Sequence, residues 1–121
     1  MDMKEFVIGT HGTMYYVSDM KKSVAYYKML YGKEPLFESP DWTEFDLNGT
    51  HLCLHIAEDS SKIDGKGTLI HKVRNLKEMI PSLKQMGVEI ERDYHEVCEG
   101  GFSVDFRDPS GNRLSLFEYL G

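Results

Sequence analysis

Three residues at alternate positions of the stretch HLCLH, namely His51, Cys53 and His55, carry side chains that ligate metals or move protons. On an extended strand alternate residues share a face about 6–7 Å apart. Imidazole nitrogens and a thiol placed so could converge on a soft divalent ion. A second set lies just upstream in DWTEFDL, where Glu44 and Asp46 also share one strand face. Buried together, two carboxylates repel, one pKa rises and a general base results. Ser115, between Leu114 and Leu116 in RLSLFEYL, shares the opposite strand face with Phe117, and the question it raises is whether that face carries a reactive or ligating residue. Plainer roles fit the same residues: a solvated histidine at a strand entrance, a free Cys packed as a small core residue, carboxylates on an open sheet face.

These residues need elements to hold them, and the elements repeat. GTMYYVSDMKKSVAYYKMLYG, residues 12–32, reads as a strand, a Ser18-Asp19 cap, then Met20, Val24, Tyr27 and Tyr31 at helical spacing before a terminal Gly. GTLIHKVRNLKEMIPSLKQMG, residues 67–87, follows the same plan with Asn75 as cap. Pro81 falls inside the second helical pattern, where its missing N–H is expected to kink or weaken the helix. Each helix is followed by three strand patterns. Asn48-Gly49 marks a hairpin in the first half, and Asp108-Pro109-Ser110-Gly111 a type I turn in the second. The fold class expected is α+β, two tandem βαβββ modules over about residues 8–57 and 67–120, with a polar linker at 58–66. His71 is expected to be half-buried and hydrogen-bonded. DYHEVCEGG, with His95, Glu96 and the Gly100-Gly101 pair, reads as a loop at a rim.

At 121 residues the chain is one domain, with 40% apolar and 28% charged residues, ordinary for a globular protein. A formal charge of −6 argues against nucleic acid or an anionic membrane as partner. Cys53 and Cys98 form no CxxC pattern, so neither a disulfide framework nor a structural zinc site is expected. MDMKEF lacks the apolar run of a signal peptide, which makes the cytoplasm the expected compartment.

The paired modules, VSDMKKSVAYYKMLYG after the first strand and FRDPSGNRLSLFE at the end together resemble the vicinal oxygen chelate superfamily. That superfamily includes glyoxalase I, bleomycin-resistance proteins, fosfomycin-resistance enzymes and extradiol dioxygenases. The resemblance spans about residues 10–119. It implies an open barrel of curled sheets around a small-molecule cleft, and, at this length, a homodimer. It also implies that metal-dependent members place His, Gln or Glu on the first and last strands of each module, where the ion acts as a Lewis acid.

Carried over residue by residue, those positions are Gly12, Cys53, Thr68 and Ser115. Gly has no side chain, Ser and Thr are poor ligands for a divalent ion, and one Cys makes no site. The expectation is therefore no metal at the family positions, and no cofactor. Two residues lie near them, His11 one before the first and Glu118 three beyond the last. Odd offsets on a strand reverse the face, so only a bulge at each place would bring them in. The alternative ligand set is His51, His55 and Glu118. Strand parity otherwise lines the cleft with Met14, Tyr16, Trp42, Glu44, His51, Cys53, His55, Thr68, Ile70, Ser115 and Phe117, a mixed apolar and polar wall suited to a small ligand. The reading is a homodimeric, metal-free small-molecule-binding protein. Its rivals are a metal-dependent lyase, isomerase or dioxygenase with relocated ligands, and a non-catalytic interaction domain.

Overall fold

The computed structural model describes residues 5–121; residues 1–4 of the segment that bears on a signal peptide lie outside it. The element order is β1 (Gly12–Val17), α1 (Met20–Tyr31), β2 (Phe37–Glu38), β3 (Trp42–Asp46), β4 (His51–Ile56), β5 (Thr68–Lys72), α2 (Leu76–Gln85), β6 (Ile90–Cys98), β7 (Gly101–Arg107) and β8 (Arg113–Tyr119). A single 3-10 turn at Ser60–Lys62 interrupts the connection between β4 and β5. Two four-stranded sheets result, ordered β1-β4-β3-β2 and β5-β8-β7-β6. In each the last strand of the module inserts beside the first, in parallel, and pairs antiparallel with the third. The fold is α+β, two βαβββ modules whose sheets stay open.

Local chemistry explains where the elements begin and end. Asp19 Oδ1 accepts from Lys22 N at 3.1 Å and opens α1; Gly32, at φ 64°, closes it with its N–H on Lys28 O. Asn48 and Gly49 have φ of 59° and 111°, the positive pair that a two-residue hairpin of the primed type requires. At α2 the expected cap differs. Asn75 occupies the N-cap position in the left-handed region but makes no side-chain cap bond. The Glu118 carboxylate supplies it instead, accepting from Asn75 N at 2.7 Å and Leu76 N at 3.1 Å. A negative group at a helix N-terminus is favourable, and here it arrives from the final strand. The helix runs on through Pro81. Most of DYHEVCEGG is strand and not loop: β6 continues to Cys98, only Glu99-Gly100 turns, and register shifts between Ile90 and Arg92, Arg92 and His95, and Glu96 and Cys98 hide the alternation.

One apolar core serves both modules. Val17, Tyr27, Phe45, Leu52 and Leu54 from the first join Leu76, Leu83, Val104, Phe106 and Leu114 from the second. Full burial of each large side chain stabilises by about 1.5–3 kcal/mol. Polar bonds fasten the modules at the edge of this core. The Tyr15 hydroxyl donates to Arg113 O and accepts from Leu69 N, both at 2.6 Å. Asp108 accepts from Ser110 N, Asn112 N, Asn112 Nδ2 and the Tyr27 hydroxyl, and Asn112 Nδ2 also reaches Tyr16 O at 2.8 Å. The DPSGN turn thus ties the end of the second module to α1 and β1.

Candidate functional site

With Tyr15, Val17, Thr43, Phe45, Leu52 and Leu54 directed into the core, the alternate residues of β1, β3 and β4 form an open face. The register arranges them in three rows. Gly12, His51 and Asp46 make the first, Met14, Cys53 and Glu44 the second, and Tyr16, His55 and Trp42 the third. The third row is aromatic across its width: His55 meets Tyr16 and Trp42 edge-on, with centroids 5.3 and 5.6 Å away. The His55 Nδ1–H donates to the Ile56 carbonyl at 2.7 Å, which fixes the ring.

His51 and His55 occupy rows two apart. Four residues of strand separate them by about 13 Å, too far to share one ion. What the face does bring together is His51 with Glu44 and His11. Glu44 Oε2 lies 2.7 Å from His51 Nδ1 and 3.1 Å from His11 Nε2, while Trp42 Nε1–H donates to Oε1 at 2.9 Å. These contacts hold the Glu44 carboxyl below its ordinary pKa, His51 contributing most and Trp42 next. Glu44 and Asp46 share the face but form no carboxylate dyad: Asp46 Oδ1 accepts from Asn48 N in the hairpin.

Strand parity sends His11 to the opposite face, yet it reaches Glu44, because the strand starts one residue after it. β1 begins only at Gly12, and a Cβ at that position would meet the His51 carbonyl oxygen. His11 therefore lies just outside the ladder, where alternation no longer sets the face, and its side chain reaches Glu44. Glu118 stays on the helix side, where capping α2 removes it from any ligand set.

The four family positions sit in equivalent places in the two sheets. Gly12 is opposite His51, two residues before Cys53, and Thr68 is opposite Arg113, two residues before Ser115. None offers a good ligand. Cys53 is buried, and burial, with the Glu44 charge behind it, pushes its thiol pKa up and keeps it protonated. The Ser115 and Ser103 hydroxyls bond each other at 3.1 Å. Thr68 and Ile70 are exposed, and Phe117 covers Gly101. The second sheet adds a pair that sequence reasoning missed: Asp105, 5% exposed, accepts from Arg113 Nη2 at 3.0 Å beside Ser115. Its signal was the Asp108 turn, whose register sets Asp105 opposite Ser115. A cavity of about 600 Å³ lies elsewhere, at the junction of the modules, lined by Tyr31, Lys33, His71, Val73 and Met79 among others. There His71 is half-buried: its Nδ1–H donates to Ser115 O at 3.0 Å and its Nε2 accepts from the Tyr31 hydroxyl at 2.8 Å.

Curated relatives include metallothiol transferase FosB of Lysinibacillus sphaericus, 28% identical over 85% of this chain and 77% of that protein. The FosB of Shouchella clausii is 27% identical over 91% and 80%. Among solved structures, the lactoylglutathione lyase of Agrobacterium tumefaciens superposes with a TM-score of 0.77 at 22% identity, covering 92% of this chain and 93% of that one. Among the described residues no helix is long and apolar enough to cross a membrane. The family model for the glyoxalase/bleomycin resistance protein/dioxygenase superfamily matches residues 9–116, and with the repeated βαβββ topology it makes this chain a member of that superfamily.

Proposed function

We propose that the chain is a small-molecule-binding member of its superfamily that holds a partly aromatic compound on the open sheet faces and needs no ion at Gly12, Cys53, Thr68 or Ser115. The observation that carries this is the three-row face of the first sheet: an aromatic strip of Tyr16, His55 and Trp42 beside a polar group centred on Glu44. Apolar area supplies affinity there, and the fixed carboxylate and imidazoles set orientation. Met14 and Ile70 are 41% and 63% exposed, so the same reading has a second copy of the chain complete the cleft.

Trp42 is the chain's one tryptophan, so its fluorescence reports on the face directly. Titration with uncharged and cationic naphthalenes is expected to quench it saturably at one site per chain, with sedimentation showing two chains per particle. Unsaturable quenching across the whole panel, equal to that of free tryptophan, would sink the reading.

A further inference from the structure

We propose that His11, Glu44 and His51 form a binding site for one first-row divalent cation of the zinc class, on the open face but displaced from the family positions. Their ligating atoms, His11 Nε2, Glu44 Oε2 and His51 Nδ1, all lie within 4.8 Å of one another. Ligands about 2.0–2.2 Å from an ion and set at tetrahedral or octahedral angles stand about 3.0–3.4 Å apart. The Glu44 contacts to His51 and His11, at 2.7 and 3.1 Å, already approach that spacing. An ion can enter with small side-chain rotations and no movement of the sheet.

The donor set selects the metal. Two imidazoles and one carboxylate suit zinc, cobalt, nickel or ferrous iron, and are too few and too nitrogen-rich for calcium or magnesium. Three protein ligands leave coordination positions free, and these face outward from the sheet, since His11 is exposed. Such a site is of the open type that binds a further small ligand. Its surroundings hold it in shape. Trp42 Nε1 anchors the Glu44 oxygen that is not shared, as outer partners of metal ligands do. The His11 and His51 rings pack edge-on, with centroids 4.7 Å apart. With no ion, His11 Nε2 and His51 Nδ1 each hydrogen-bond the Glu44 carboxylate. To ligate an ion, each of these nitrogens must present its lone pair, with any ring proton carried on the other nitrogen.

Ion binding does not depend on the organic ligand proposed above, so the two readings fail separately. Chelator-stripped, untagged protein is dialysed against zinc, and cobalt is added as a visible probe. The expected result is one zinc per chain and cobalt d–d bands. Glu44→Gln and His11→Ala should each weaken binding beyond the roughly 10–100-fold typical of outer-partner losses, Trp42→Phe should fall within that range, and His95→Ala should change nothing. Should the variants fold poorly, cobalt added to the unaltered protein must broaden the imidazole proton resonances of His11 and His51 ahead of those of His71 and His95. Wild-type protein that retains less than about a tenth of an equivalent of zinc overturns the proposal, as does stoichiometric binding that survives both Glu44→Gln and His11→Ala.

Discussion

How His11 comes to sit beside Glu44 is decided one residue later. Gly12 has no Cβ, and β1 runs so close to β4 there that one would strike the His51 carbonyl. Gly12→Ala is expected to cost about 1–3 kcal/mol, the range for forcing atoms into a filled site, as a lower urea midpoint at unchanged m-value. It should also swing His11 off Glu44. Parity counting could not find this contact, because it holds only inside a ladder and His11 lies one residue outside it. Counting did succeed within the strands, where Met14, Tyr16, Cys53 and His55 share a face by plain alternation. Glu44 was legible as a face residue, but its partners were not. His11 and His51 come from other segments, which no spacing in β3 encodes; only Trp42, two residues away on the same strand, follows from alternation.

At the scale of elements, the repeat was readable because its punctuation is chemical. Asp19, Gly32 and Asn48-Gly49 each carry a conformational demand that few residues meet. Asn75 looked like the same signal but is not, since the bond to α2 comes from Glu118, 43 residues away from Asn75. Long-range caps leave no local trace. The DPSGN turn was legible as a turn and illegible as a clasp. Asp108 is 5% exposed and takes bonds from its own loop and from Tyr27 in α1. That contact, with burial leading, keeps the Tyr27 hydroxyl protonated far above its ordinary range. Asp108→Ala strands these buried donors, so a loss of at least about 2 kcal/mol is expected in urea unfolding. Tyr27→Phe, which removes a single donor, should lose about 1 kcal/mol.

Across the whole molecule, His71 joins the two modules through Tyr31. Burial lowers its pKa, against a smaller opposing effect of the Ser115 carbonyl. The unfolded imidazole titrates near pH 6.5, so below that pH the unfolded chain binds a proton that the folded chain resists. The stabilisation that His71 contributes is thus complete above about pH 6.5 and is lost as pH falls through its lowered folded value. Urea midpoints measured from pH 7.5 down to 5 should drop in the native chain, and His71→Gln should flatten that part of the slope. The close approach at Gly12 also sets what an engineer could write into this scaffold. Thr68 is exposed and will take a longer side chain, and Ser115 needs only local room. A ligand at position 12 is a different order of task, because the strand itself must first be moved away from its neighbour. Installing a ligand at each of those positions is therefore a backbone redesign at one of them, while the histidines beside it can be varied by side chain alone.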